Sequence, residues 1–128
     1  RVPYVMQNLN ELGVSIDGAS KDTYEKLRLG GRWDKINENL DSIADAKRKH
    51  GFKFILYFVV QKDNHHEMDD MLALGERYGA DRVNFSLIED WGVLPDFKSK
   101  LPPLEDSEFK EMLERCTRSE LGNTWVHR

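Results

Sequence analysis

Apolar and polar positions alternate near the start of the chain and later recur at helical spacing. From Leu12 to Asp17 a pleat puts Val14 and Ile16 on one face and Ser15 and Asp17 on the other. Phe54-Ile-Leu-Tyr-Phe-Val-Val60 is apolar throughout, the pattern of a parallel strand covered on both faces. Arg82 to Ile88 alternates again. These three segments are the expected strands.

Helical spacing fills the gaps between them. Ile36, Leu40, Ile43 and Ala44 predict a helix over Asp34 to His50, stopped by Gly51. A shorter helix, Lys21 to Leu29, precedes it, with Ser20 as its N-cap. Met68, Met71, Leu72 and Gly75 form the buried stripe of a helix over Asn64 to Tyr78, and Asn64 with Glu67 reads as a capping box. Tyr24, Trp33 and Phe52 are expected in the core. After the third strand, Trp91 to Pro103 holds three of the four prolines and reads as a loop. Ser107 then caps a helix with Phe109, Met112, Leu113 and Cys116 on one face, and the tail from Gly122 is expected to be mobile.

Helices between strands imply parallel pairing, so the fold class is α/β. Residues 1–92 read as a partial βα barrel of three parallel strands. Residues 93–128 read as a proline-rich loop and a C-terminal helix. Such an open piece leaves strand edges unpaired and one sheet face, with Ser15, Asp17, Asn84 and Ser86, looking into an unenclosed lumen. Self-association, as a homodimer through those edges, follows as an expectation.

Composition narrows the class. A net charge of -4 argues against nucleic acid as a partner. The longest apolar run is too short for a bilayer, and the segment beginning Arg1-Val-Pro-Tyr lacks an apolar signal region. One cysteine excludes an internal disulfide and fits a reducing, cytoplasmic setting. A start without methionine, with an extended segment almost at once, leads to the expectation of a piece of a longer protein, and trimming of a tag gives the same start.

The order and spacing of several motifs resemble a known family. Val14-Ser-Ile-Asp-Gly18 is followed by Tyr24-Glu-Lys-Leu-Arg28, Gly30-Gly31, Asp34 and Asn39-Leu40, then Val59-Val60-Gln61, Asn64 and Glu67-Met68. Over roughly Leu12 to Gly92 this pattern is similar to the central part of radical S-adenosylmethionine enzymes, in particular the branch with an extra C-terminal cluster domain. The resemblance implies a partial barrel whose upstream half holds a 4Fe-4S cluster through CxxxCxxC. That cluster and S-adenosylmethionine together generate a 5'-deoxyadenosyl radical for hydrogen abstraction.

The chain has one cysteine and no CxxxCxxC. The resemblance therefore implies the fourth to sixth barrel strands only, inactive alone, with no cofactor held by this chain by itself and the missing N-terminal half as partner. By the same resemblance, Ser15 contacts the cofactor's ribose or carboxylate, and Arg28 pairs with its carboxylate. Asp17 shapes the turn or reaches substrate, and Asn64 follows strand five where the family often has Asn. Leu87 and Ile88 offer backbone atoms to the adenine.

Plainer readings stand beside these. Asp17-Gly18 is equally a turn, Arg28 a solvated helix residue, and Asn64 a helix cap. His65-His66-Glu67 is a surface patch, because adjacent histidines do not share a helix face. Cys116 is a buried structural thiol. The alternative function is a small α/β binding or scaffold module without radical chemistry. A third is another barrel enzyme using Asp17 as acid or base, with Gln61 and Glu89 the other polar residues at strand ends.

Overall fold

The computed structural model describes residues 10–89 and 97–124. Four strands, β1 (Glu11–Ser15), β2 (Lys53–Val60), β3 (Arg82–Leu87) and β4 (Gly122–Thr124), form one sheet in chain order. Every pairing is parallel. Between β1 and β2 lie α1 (Lys21–Leu27) and α2 (Trp33–His50). Between β2 and β3 lie a 3-10 turn (His65–Glu67) and α3 (Met68–Arg77). A short α4 (Phe97–Lys100) and α5 (Ser107–Arg118) lead to β4. The class is α/β with a parallel sheet, as the alternation of periods predicts.

The helices cover one face. Phe54, Leu56, Phe58 and Val60 of β2 join Val83 and Phe85 of β3 in a single apolar cluster with Leu40, Ile43, Met68, Met71, Phe109 and Leu113 from the helices. Phe58 and Phe85 are register partners and pack edge to face, their centroids 5.5 Å apart. A buried Phe such as Phe58 contributes on the order of 3–5 kcal/mol against truncation to Ala. The alternate positions of β2 do not belong to that cluster, and only Ile55 among them is buried: Tyr57 is exposed and Val59 half-buried. The expectation that β2 is covered on both faces is therefore corrected. An all-apolar run fits a strand whose second face is open, because Tyr57 tolerates water.

The tail expectation is also corrected within the described residues. Gly122–Thr124 pair with β3 as a fourth parallel strand. Three residues carry too little periodicity to announce a strand; the packing of α5 against α3 and β4 supplies what the sequence signal lacks. The short α4 lies inside the stretch expected as a loop and is a further correction; the remaining helices and strands fall where the periodicity puts them, within a residue or two at most ends. Gly51 stops α2 in the left-handed region at φ 72°, its N–H bonded to the Lys47 carbonyl at 2.8 Å. Tyr24 and Phe52 are core, whereas Trp33 is half-buried against the Tyr24 ring. Trp91 and the 92/93 boundary lie outside the described residues.

Three expected caps take other forms. Ser20 sits at the N-cap of α1, but its hydroxyl does not cap the helix. Ser107 is the first residue of α5, and Asp106 is the N-cap. Asn64 and Glu67 do not make a capping box, and the expected helix divides there into the 3-10 turn and α3. In each case the polar side chain has a partner elsewhere or the helix starts one residue away.

Candidate functional site

Past the end of β1, Ile16 is buried and continues the ladder, its N–H donating to the Tyr57 carbonyl at 2.9 Å. The chain then turns at Asp17. Asp17 Oδ1 accepts the Val59 N–H at 3.1 Å, and Oδ2 lies 3.3 Å from Arg28 Nη2. One carboxylate thus holds a backbone group of β2 and the guanidinium that follows α1. Arg28 Nε is buried with no hydrogen-bond partner among the described residues, while the side chain as a whole is 39% exposed. A half-exposed guanidinium is suited to a carboxylate or another planar anion, although the buried Nε itself is not open to a ligand.

Asn64 lies beneath this pair, fully buried. Its Oδ1 accepts the Gln61 N–H at 2.8 Å. Its Nδ2 donates to the carbonyls of Asp17 at 3.1 Å and Val59 at 2.7 Å. Both amide hydrogens and the oxygen are used, so Asn64 fastens the ends of β1 and β2 and has no donor left for a ligand.

Glu67, expected as half of a capping box, has a role that sequence reasoning missed. Its buried carboxylate accepts the Ala19 N–H and the Ser20 hydroxyl, both at 2.6 Å, and the Thr23 hydroxyl at 2.9 Å. His66 Nε2 stands 3.7 Å away. This clamp binds the first turn of α1 to the 3-10 turn and explains why Ser20 does not cap α1 and Glu67 does not reach back to Asn64. A signal was present: Glu67 precedes Met71 and Gly75 at four-residue steps, on the buried stripe of α3. A carboxylate on an apolar stripe requires partners.

The expected site residues therefore divide. Asp17, Arg28 and Asn64 come together at the carboxyl ends of β1 and β2. Ser15 is exposed on the open face, in register with Tyr57. Leu87 packs against the core from the helix-covered face. The Ile88 N–H donates to the Val60 carbonyl at 3.0 Å. Gln61 is half-buried and Glu89 exposed. His65 packs on Phe109, with ring centroids 5.7 Å apart, and His66 is exposed. Among the described residues no group of three or more His, Cys, Asp or Glu could hold a metal ion.

Cys116 is buried, and desolvation with the nearby Asp69 carboxylate pushes its thiol up to about 12. At ordinary pH it is therefore a neutral thiol, the less nucleophilic form. Burial also raises the Tyr78 phenol, which donates to Asn37 Oδ1 at 2.7 Å. Both belong to the scaffold. No protein-family model matches the chain, and a search of curated proteins found no match. No helix among the described residues is long and apolar enough to cross a membrane.

Proposed function

We propose that this chain is the fourth-to-sixth-strand part of a radical S-adenosylmethionine barrel, supplying part of the cofactor and substrate site and inactive alone. The observation that carries the reading is the winding of the sheet: parallel strands in chain order, with the apolar core on one face only. A doubly wound sheet reverses its strand order and carries helices on both faces. A barrel wall keeps its helices outside and turns its other face to the lumen. Polar groups then belong at the carboxyl ends of the strands, where Asp17 and Arg28 lie.

The chain's single cysteine, buried Cys116, does not fit a cluster that needs three thiolates. The cluster belongs to the missing N-terminal half of the barrel, which is the partner of this segment. S-adenosylmethionine, bound there, supplies the 5'-deoxyadenosyl group for hydrogen abstraction. This chain's share is binding and orientation. The Ser15 hydroxyl reaches the cofactor's ribose or carboxylate from the open face. Arg28, steadied by Asp17, offers its guanidinium edge to the carboxylate. Asn64 and Glu67 hold the turns that carry both. One cysteine suits a reducing, cytoplasmic setting.

A second reading, an α/β binding or scaffold module, draws on the mutual pairing of Asp17 and Arg28, which serves structure without a ligand. One experiment separates the two. The protein carrying both barrel halves is reconstituted anaerobically with iron and sulfide, reduced, and assayed for 5'-deoxyadenosine from S-adenosylmethionine. The proposal expects product, with Ser15→Ala and Arg28→Ala raising the KM for S-adenosylmethionine. No product from the wild type favours the module.

A further inference from the structure

We infer that Tyr57, laid across Gly13, is the floor of the ligand space and sets how deeply S-adenosylmethionine enters the open face. This rests on the barrel reading above and adds two residues to it. Tyr57 is in register with Ser15 on β1, yet its ring does not stand over Ser15. It leans diagonally toward the amino end: a Cβ on Gly13 would lie 2.5 Å from Tyr57 Cε2, 3.3 Å from Cδ2 and 3.5 Å from Cζ. Only a residue without a side chain leaves room for the ring there. Ile55, the register partner of Gly13, is buried on this same face although it lies outside the helix-side core. Its burial fits a ring lying across the amino half of the face.

Ser15, exposed, and Val59 and Ser86, half-buried, occupy the carboxyl half. Those three side chains are uncharged, as is the phenol. Above the ring, charge enters at the carboxyl rim with Asp17 and Arg28, whereas Glu11, Lys53 and Arg82 lie on the same face beyond the ring, at its amino end. The surface is thus graded, from an aromatic floor through neutral hydrogen-bonding walls to a charged mouth. A ligand with one ionic end and an uncharged ring system matches that grading. S-adenosylmethionine, whose amino acid end is ionic and whose nucleoside is neutral, has this form. In filled barrels, large side chains in layers close the lumen from below. Tyr57 plays that part here, its ring seated over Gly13.

The test uses the full-length protein with its cluster in place, and equilibrium dialysis of S-adenosylmethionine. Gly13→Ala forces the ring off its seat and into the ligand space, so affinity falls about tenfold, the scale of a modest overpacking penalty. Gly13→Ala/Tyr57→Ala removes the obstructing ring and recovers affinity to within about threefold of the wild type, a coupling that simple destabilisation does not produce. Tyr57→Phe keeps the floor and stays within about twofold. As a second readout, S-adenosylmethionine protects Tyr57 from nitration, mapped by peptide mass spectrometry. Wild-type affinity in Gly13→Ala, no recovery in the double variant, or unprotected Tyr57 overturns the inference while the barrel reading stands. Absence of S-adenosylmethionine binding in the wild type overturns both.

Discussion

Asn64 donates one amide hydrogen to the Asp17 carbonyl at 3.1 Å, across forty-seven residues of sequence. Its other hydrogen goes to Val59 and its oxygen takes the Gln61 N–H. A single buried side chain therefore closes the seam at the carboxyl ends of two strands. Asn64→Ala leaves the Asp17 and Val59 carbonyls and the Gln61 N–H without these partners in a buried place. The expected loss is about 2–4 kcal/mol in urea unfolding. A loss under about 0.5 kcal/mol would show that water replaces the amide without cost.

Glu67 makes a separable contribution. Glu67→Ala strips acceptors from Ala19, Ser20 and Thr23 together, and stability should fall by about 2–4 kcal/mol. Glu67→Gln keeps one acceptor oxygen and the same shape, and should lose about half as much. Hydrogen exchange at Ala19 locates the effect: its amide should exchange faster in both variants, and in Glu67→Ala most. Wild-type stability of both variants would mean that the carboxylate's charge and geometry contribute nothing.

Cys116 gives a pH signature. Its thiol is pushed up to about 12 in the folded chain, whereas an unfolded thiol titrates near ~8.5. A raised folded value stabilises the fold below the unfolded value, and that contribution declines as pH rises through the interval toward about 12. The Cys116 contribution should thus be flat from pH ~6 to ~8 and fall steadily above ~9, and Cys116→Ala should lack this component. Labelling offers a direct check: native protein should resist a thiol reagent at pH ~8 and react fully once unfolded in urea. Rapid native labelling would place the thiol at the surface.

The open sheet face predicts association of the isolated chain. Tyr57, 37% exposed, lies on it, and β1 is an edge among the described strands. Light scattering should report a dimer at micromolar concentration. A charge at the centre of that face, Tyr57→Lys, should shift the chain toward monomer without loss of helical signal. A monomer for the unmodified chain would contradict the unfilled-lumen picture.

The fold was legible where periodicity extends over many residues. Ile36, Leu40 and Ile43 announce α2, and Phe54 to Val60 announce β2, because long runs repeat the same face. What escaped was set by contacts between distant segments. β4 is three residues long and is held by α5 and β3. Glu67 read as a local cap because a cap needs only a neighbour, whereas its real partners lie more than forty residues away. Asp17 and Arg28 were both singled out from sequence, yet their pairing with each other was not, since it depends on where α1 ends. Tyr57 passed as one more apolar strand residue; the empty space at Gly13 that gives it its place belongs to the next strand.

The central claim, that this chain is part of a radical S-adenosylmethionine barrel, is tested most directly by reading the coding sequence upstream of Arg1. An in-frame CxxxCxxC following a strand pattern, with further βα units between it and β1, is the expected result. A reading frame that opens close to Arg1 without such a motif would contradict it, leaving Ser15 and Arg28 as residues of a binding module.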